Sequence, residues 1–175
     1  TGILGDIQSG FIANVGLNIF NKYVIDSIEG KSEDKSSILE TEIKLDCYWG
    51  SSIPKSYIDA DSERIDIYKR LEHSEPNKVD EIKNEIIDRF GNVPEITDNL
   101  FSTAKIRSIL QKKDILRCKI REFQVELFPV DLTEDLKLSI EKYDKRFIFR
   151  NKRLVLNFQH SLTPESTYEL LDSIL

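Results

Sequence analysis

Length, composition and charge place this chain among ordinary globular proteins. Its 175 residues are 39% hydrophobic and 32% charged, which is enough apolar material for one domain with a real core. The net charge of −6 argues against tight binding of nucleic acid by the chain as a whole. The short apolar runs exclude a transmembrane helix.

The first 37 residues predict an amphipathic helix followed by a linker. Apolar residues recur at steps of three and four from about Ile12 to Glu29. Residues 30–37, GKSEDKSS, are small, polar and charged, as linkers are. We therefore expect residues 1–37 to form an N-terminal appendage and residues 38–175 the main domain. Because the chain opens at Thr1 without a methionine, we expect it to be a piece of a longer protein.

Beyond the linker the pattern changes from a helical period to that of a strand. Apolar Ile43, Leu45, Cys47 and Trp49 alternate with polar neighbours, which predicts one strand with one buried face. Cys47, like Cys118 in a similar pattern further on, should be a buried, reduced thiol. Reduced thiols are consistent with the cytoplasm, where we expect this protein to be located.

Three helices should follow this strand. The first runs from about Ser62 to His73 with Asp61 as its N-cap, and the third from Pro94 to about Lys112. Their inward positions share a helical spacing and are Ile65, Tyr68, Leu71, Ile96, Leu100, Ala104, Ile106 and Leu110.

The second helix joins an apolar face to a charged one. Its apolar positions, at steps of three and four, are Val79, Ile82, Ile86 and Phe90. Gly91 can adopt the left-handed conformation that ends a helix. The opposite side carries Glu85, Asp88 and Arg89. Such a surface suits a basic partner, but any solvated helix has the same composition.

The last third of the chain predicts two hairpins and two helices. The first hairpin joins Leu116–Ile120 to Phe123–Leu127 through a turn at Arg121-Glu122. Thr133 should cap a short helix with Leu136, Ile140 and Tyr143 inward. A second hairpin turns at residues 150–152, and Thr163-Pro164 opens a final helix. This order favours an α+β domain, with a largely antiparallel sheet packed against about five helices.

The motifs of common catalytic sites are missing or incomplete. Gly5 and Gly10 have the spacing of a phosphate-binding loop, but Phe11 and Ile12 follow where that loop needs lysine and a hydroxyl. His73 and His160 are not at ligand spacing from either cysteine, so we expect no zinc site. We nominate no catalytic residue and no metal ligand.

Two segments together resemble the bacterial transcription-repair coupling factor (Mfd). Residues 4–12, LGDIQSGFI, followed by Val15-Gly16, resemble the end of its translocation motif. Residues 53–58 (IPKSYI), Arg64, residues 67–71 (IYKRL) and residues 85–94 (EIIDRFGNVP) resemble its C-terminal domain. The order and spacing agree over most of residues 3–113.

The resemblance implies a fragment of an ATP-driven translocase on double-stranded DNA. Proteins of that family displace stalled RNA polymerase and recruit nucleotide excision repair. ATP and Mg²⁺ belong to their helicase lobes, which this chain lacks, so we expect no cofactor and no enzyme activity here. Gln8 would belong to the translocation motif, whose remaining parts precede Thr1.

The resemblance also implies a regulatory role for residues 38–175. In the family this domain packs on an N-terminal excinuclease-B-like module and masks the surface that binds the excinuclease-A protein. Glu85, Asp88 and Arg89 would then make the interdomain contacts. RNA polymerase and double-stranded DNA would bind other domains of the parent protein, and no membrane would be involved.

Three alternatives remain open. Glu85 and Arg89 would pair along their own helix in a purely structural surface, a contact worth about 0.3–0.5 kcal/mol. The basic residues Arg117, Lys119 and Arg121 alternate on one strand face and would suit a module that contacts nucleic acid. An independent hydrolase would have to turn over ATP alone, which we do not expect.

Overall fold

Five strands and five helices form residues 43–175, the part of the chain that the computed structural model describes. In chain order they are β1 (Lys44–Cys47), α1 (Asp61–Glu72), α2 (Pro76–Phe90), α3 (Glu95–Lys112), β2 (Arg117–Arg121), β3 (Gln124–Phe128), α4 (Glu134–Glu141), β4 (Ile148–Arg150), β5 (Arg153–Asn157) and α5 (Pro164–Ile174). This confirms the predicted α+β class. The expected N-terminal helix, the linker and Gln8 lie outside the described residues.

The strands form one sheet in the order β1-β2-β3-β5-β4. Strands β2 and β3, β3 and β5, and β5 and β4 pair antiparallel, as expected for hairpins. Strand β1 pairs with β2 in parallel, which the sequence analysis did not predict. Parallel neighbours need a long crossover, and α1, α2 and α3 provide it.

One face of the sheet is buried under helices, and the other is open. Leu45, Cys118, Val125, Leu127 and Leu154 belong to a core that also contains residues of α3, α4 and α5. Between them, residues such as Lys44, Arg117 and Arg153 point outward and are exposed. An antiparallel sheet tolerates such a solvated face because its strands alternate apolar and polar side chains.

A second core joins α1, α2 and the first half of α3. Its residues come from these helices and from the segment after β1; the most deeply buried include Ile53, Ile58, Leu71, Val79, Ile82, Ile86 and Leu100. Helix α3 contributes Ala104 to this core and Ile106 to the core under the sheet. The two parts of the domain are therefore held together by one helix.

Arg64 is the largest polar side chain in the second core, and only 2% of it is exposed. Its Nη1 donates to the carbonyl oxygens of Ile58 at 2.6 Å and Asp59 at 2.7 Å. Its Nη2 pairs with Asp61. Asp61 is thus the first helical residue and a partner of Arg64, and not the N-cap that we expected; Ala60 occupies the cap position.

One predicted core position of helices α1 and α3 is wrong, and another is only partly buried. Ile65 packs against the second core but stays partly exposed, while Ile67 is buried. Ile96 is exposed, while Thr97 is buried. The hydroxyl of Thr97 donates to the carbonyl oxygen of Ser52 at 2.9 Å, so a satisfied polar side chain occupies the inward position. Helix α3 begins at Glu95, with Pro94 as its N-cap.

The hairpins and caps of the last third are largely as predicted. Thr133 accepts a hydrogen bond from the amide of Leu136, and Thr163 forms a capping box with Ser166. Asn151 and Lys152 have positive φ values of 51° and 64°, which suits a tight hairpin turn.

The remaining differences concern one hairpin turn and three exposed apolar side chains. The first hairpin turns at Glu122-Phe123 and not at Arg121-Glu122. Leu116, Phe123 and Tyr143 are 43%, 46% and 46% exposed, although we expected Tyr143 to face the core. Leu116 and Phe123 lie just outside their strands, and Tyr143 follows the end of α4, so the strand and helix periods no longer apply to them.

Both cysteines are free. Cys118 is buried as predicted, whereas Cys47 is partly buried. Burial raises the pKa of the Cys118 thiol far above its ordinary value, and it raises that of Cys47 as well. Both side chains therefore stay protonated at neutral pH and act as apolar core residues.

Candidate functional site

Helix α2 presents its charged side to solvent because its apolar side is fully used. Val79, Ile82 and Ile86 are completely buried against α1 and α3. Glu85, Asp88 and Arg89 lie on the opposite side and are all exposed, as the sequence predicted. We call these three residues the α2 charged face.

Glu85 is held by an arginine of the neighbouring helix. Arg70 of α1 donates from Nη1 to Glu85 Oε2 at 2.6 Å and from Nη2 to Oε1 at 3.0 Å. This two-pronged contact lowers the pKa of the Glu85 carboxyl, chiefly through the hydrogen bond from Arg70. The side chain of Glu85 is still 43% exposed, so the pair is a surface pair open to exchange.

Arg89 makes looser contacts. Its Nη2 lies 3.4 Å from Oε1 of Glu63 on α1, and both side chains are well exposed. The guanidinium carbon is 4.8 Å from the centroid of the Phe90 ring. The alternative pair between Glu85 and Arg89 along α2 does not form, because each side chain turns towards α1.

Asp88 completes the face without a partner of its own. Within residues 43–175 no hydrogen bond or ion pair reaches its carboxylate. Its two neighbours on the face are each engaged with α1. The face therefore combines one unengaged negative charge with two charges in exchangeable pairs.

The end of α2 fixes one border of this surface. Tyr57 donates its hydroxyl to the carbonyl oxygen of Gly91 at 2.7 Å, and its ring meets that of Phe90 edge to face at 6.3 Å. Gly91 has φ 87° and ψ −168°, and its amide donates to the carbonyl oxygen of Ile87 at 2.9 Å. The positive φ was predicted, but ψ lies outside the left-handed helical region, in a region that only glycine commonly occupies.

The flanking side chains of Tyr57, Glu63 and Arg70 also belong to this surface, although the sequence did not predict it. Arg70 and Tyr57 do fall in the segments that carry the family resemblance. Their role could not be read from spacing, since the contacts join residues 15 to 34 positions apart on different elements.

The basic residues of β2 lie on the open face of the sheet. Arg117, Lys119 and Arg121 are all exposed, as their alternation predicted. Arg121 is neutralised, because its Nη2 lies 2.7 Å from Oδ2 of Asp46 on β1. Lys119 is opposite Glu126 on one side and Asp46 on the other. Of the three, Arg117 alone lacks both an acidic neighbour in register and an ion pair among the described residues.

A cleft of about 720 Å³ lies between the loop after α4 and the segment before α5. Lys145, Arg146 and His160 line it together with Asp144 and Glu169. Asp144 accepts hydrogen bonds from the amides of Arg146 at 2.9 Å and Asn157 at 3.0 Å, so its carboxylate holds the loop. This is a structural role, and the cleft adds no catalytic candidate to the sequence analysis.

Two further features concern metal sites and membrane spans, over residues 43–175 alone. In this part of the chain no cluster of three His, Cys, Asp or Glu side chains has the arrangement of a metal site. None of its helices combines the length and apolar character needed to cross a bilayer.

The profile of the TRCF domain matches residues 49–142, which are more than half of the chain and include α1, α2 and α3. The chain belongs to this family. The α2 charged face thus lies in the centre of a TRCF domain. Both strands of the last hairpin, β4 and β5, and helix α5 lie beyond the matched residues.

Curated relatives of this TRCF domain carry the name transcription-repair-coupling factor. The protein from Bacillus subtilis (strain 168) is 32% identical over 130 residues, which are 69% of this chain and 11% of that protein. The protein from Buchnera aphidicola subsp. Acyrthosiphon pisum is 36% identical over 115 residues, 63% of this chain and 14% of that protein. The chain therefore spans only a small part of these relatives.

A solved structure shares the fold. The crystal structure of a C-terminal domain of transcription-repair coupling factor aligns with a TM-score of 0.62 at 20% identity. The alignment covers 78% of this chain and 92% of that domain. At this level of identity the likeness establishes the fold, and the family assignment comes from the sequence matches.

Proposed function

We propose that this TRCF domain is a non-catalytic docking domain of a transcription-repair coupling factor. Its partner is the N-terminal excinuclease-B-like module of the same protein, and its effect is to mask the surface that binds the excinuclease-A protein. ATP hydrolysis, movement on double-stranded DNA and contact with RNA polymerase belong to other domains of that protein. The α2 charged face makes the contact.

The main support for this proposal is that the Asp88 carboxylate is exposed and unpaired within residues 43–175. It lies on a rigid helix. A basic side chain of the docked module can pair with it without breaking any contact of the free domain. Charge-assisted hydrogen bonds of this kind suit a contact that must also release.

Glu85 and Arg89 can join the contact by exchanging partners. Each is held in a surface pair, and such pairs contribute only about 0.2–1 kcal/mol. A docked arginine near Glu85 would share the carboxylate with Arg70 or replace it at small cost. The internal pairs therefore orient the two side chains without preventing docking.

The energies fit a regulatory contact. Three exposed ionic contacts would bias a closed state by roughly 1–3 kcal/mol, which corresponds to about 5- to 150-fold in an equilibrium. That is enough to hide a binding surface until another partner competes. It is too little for permanent assembly, which would keep the excinuclease-A surface hidden at all times.

A binding titration with a matched control tests the proposal. The full chain is titrated with the separately purified N-terminal module, and the variant Glu85→Ala/Asp88→Ala/Arg89→Ala is compared with Glu134→Ala/Lys137→Ala/Asp172→Ala. Both variants remove two acids and one base from exposed helical positions, so they change net charge equally.

We expect the α2 variant to bind about 5- to 150-fold more weakly and the control to bind like the unaltered chain. Equal affinities for all three chains, each with an intact circular dichroism spectrum, would refute the docking role. Loss of folding in the α2 variant alone would mean that the face is structural.

A further inference from the structure

A row of basic side chains crosses the open face of the sheet. Lys44 on β1 is in register with Arg117 on β2, and Arg117 with Phe128 on β3. Leu127 pairs with Leu154, which places Arg153 of β5 beside Phe128. Arg150 on β4 lies opposite Arg153. We use the name cross-strand row for these five aligned residues: Lys44, Arg117, Phe128, Arg153 and Arg150.

The charges of this row are largely uncompensated. Within residues 43–175 no carboxylate lies within ion-pair distance of Lys44, Arg117 or Arg150, and all three are exposed. Arg153 shares its charge with Glu126, whose Oε2 is 2.8 Å from Nη1. The next row along the strands, by contrast, contains Asp46, Lys119 and Glu126, so positive charge is concentrated in one line.

The arrangement is costly for the sheet itself. Arg150 and Arg153 face each other directly across an antiparallel pair, where like charges are destabilising. Lys44 and Arg117 are likewise neighbours across β1 and β2. A line of cations that weakens strand pairing is a local conflict of the kind expected at a functional site, and an external polyanion would neutralise it.

The described domain as a whole is nearly balanced in charge, with 22 basic residues, the four of the row included, and 24 acidic residues after the first 42 residues are set aside. The row is therefore a local positive feature on a domain that has no general attraction for polyanions. Its field acts at short range and is screened by salt.

We propose that the cross-strand row binds the phosphate backbone of duplex DNA. Strands lie about 4.8 Å apart, so the row is roughly 19 Å long, which is about the axial length of five or six base pairs at about 3.4 Å each. Guanidinium and ammonium groups contact phosphates without reading bases. The row offers no hydroxyl or amide side chain that would recognise a ribose 2′-hydroxyl.

The surroundings of the Phe128 ring favour duplex DNA over single-stranded DNA as the ligand. Its ring has the guanidinium of Arg153 5.3 Å and that of Arg117 5.9 Å from its centroid. Single-strand binding by an open sheet uses free aromatic faces on which bases stack. Here the ring instead orients two arginines, one from each neighbouring strand, which favours contact with a regular backbone.

A binding titration tests the proposal. A labelled duplex of about 20 base pairs is titrated with the full chain, and fluorescence anisotropy measures the affinity at several salt concentrations. Three or four neutralised phosphates give a slope of about −2.7 to −3.6 in log K against log salt. Affinity should therefore fall about 40- to 150-fold between roughly 50 and 200 mM salt.

Two charge-matched variants locate the site. Lys44→Gln/Arg117→Gln/Arg150→Gln should reduce the slope to about −1, because one arginine remains. Lys55→Gln/Lys69→Gln/Lys137→Gln removes three exposed charges from other surfaces and should keep the slope within about one unit of the original. Equal loss in both variants would overturn the proposal, as would absence of duplex binding near 50 mM salt.

An independent measurement covers the possibility that the row variant folds poorly. Amide chemical shifts of the unaltered chain, recorded during titration with the same duplex, should change first at Lys44, Arg117 and Arg150. Changes confined to the helices would overturn the assignment. Tighter binding to a single strand of the same sequence, abolished by Phe128→Ala, would also overturn it, because the sheet would then be a stacking surface.

Discussion

Arg70 of α1 holds Glu85 of α2 by two hydrogen bonds, at 2.6 and 3.0 Å, across the surface that we assign to docking. The pair joins the two helices and holds the partly exposed carboxylate against α1. It also means that Glu85 is not vacant in the free domain. The docking account therefore predicts competition between Arg70 and the partner module for one carboxylate.

Removal of Arg70 should strengthen docking. In Arg70→Ala the Glu85 carboxylate no longer has to exchange partners, so affinity for the N-terminal module should rise about 2- to 5-fold, the equivalent of a surface pair of roughly 0.4–1 kcal/mol. Isothermal titration calorimetry measures this, with Lys69→Ala as the control on the same helix. Weakening as large as that caused by Glu85→Ala would show that the two residues act as one unit.

The Glu85 pair should contribute stability only where the carboxylate is charged. Arg70 lowers the pKa of Glu85 in the folded state. A lowered acid pKa stabilises the fold above the unfolded value of about 4.3, and this contribution is lost as pH falls through the folded value. Glu85→Gln should therefore be slightly less stable than the unaltered chain at pH 7, by less than about 1 kcal/mol, because the pair is exposed.

Urea unfolding at pH 7 and at about pH 2.5, below the ordinary range of carboxyl pKa values, checks this. The difference between Glu85→Gln and the unaltered chain should vanish at the lower pH. A difference that persisted or grew there would mean that another contact of Glu85 carries the effect.

Replacement of Gly91 should destabilise the fold, and the cause should be backbone conformation alone. A Cβ atom at this position would meet nothing within 4 Å, so no steric clash arises. With φ 87° and ψ −168°, however, any other residue is strained by about 1–3 kcal/mol. Thermal or chemical unfolding of Gly91→Ala measures the loss. A change below about 0.5 kcal/mol would show that the turn after α2 relaxes freely.

Arg64 should be essential for stability although it is a charged residue. Arg64→Ala would leave the buried carbonyl oxygen of Ile58 and the partly buried one of Asp59 without their donor and would leave a void in the second core. We expect a loss of about 2–4 kcal/mol in chemical unfolding. Arg64→Lys should recover little of it, since one ammonium group cannot reproduce the fork that reaches three acceptors. Full recovery by lysine would contradict this account.

The sequence was sufficient where local rules decide the structure. The alternation of Leu45, Cys118 and Leu154 with polar neighbours predicted strands, and Thr133 and Thr163 predicted helix starts. These features depend on residues a few positions apart. The exposure of Glu85, Asp88 and Arg89 followed in the same way from the spacing of Val79, Ile82 and Ile86.

Contacts between distant segments were beyond such rules. The helical period alone does not distinguish Ile65 from Ile67, because their burial depends on how α2 and α3 pack. An arginine such as Arg64 is expected at the surface when only the sequence is known. The pairing of Arg70 with Glu85 depends on how α1 and α2 pack. The cross-strand row depends on register, because Lys44, Arg117 and Arg150 are remote in sequence and are aligned only by the sheet.

A charge reversal at Asp88 tests the docking claim most directly. Because Asp88 has no partner within residues 43–175, Asp88→Lys disturbs no internal contact of the described domain, and Asp172→Lys on α5 is the matched control. We expect Asp88→Lys to weaken binding of the N-terminal module at least about 10-fold, a loss of roughly 1.4 kcal/mol, with its melting temperature unchanged. Unchanged affinity of a folded Asp88→Lys variant would contradict the account.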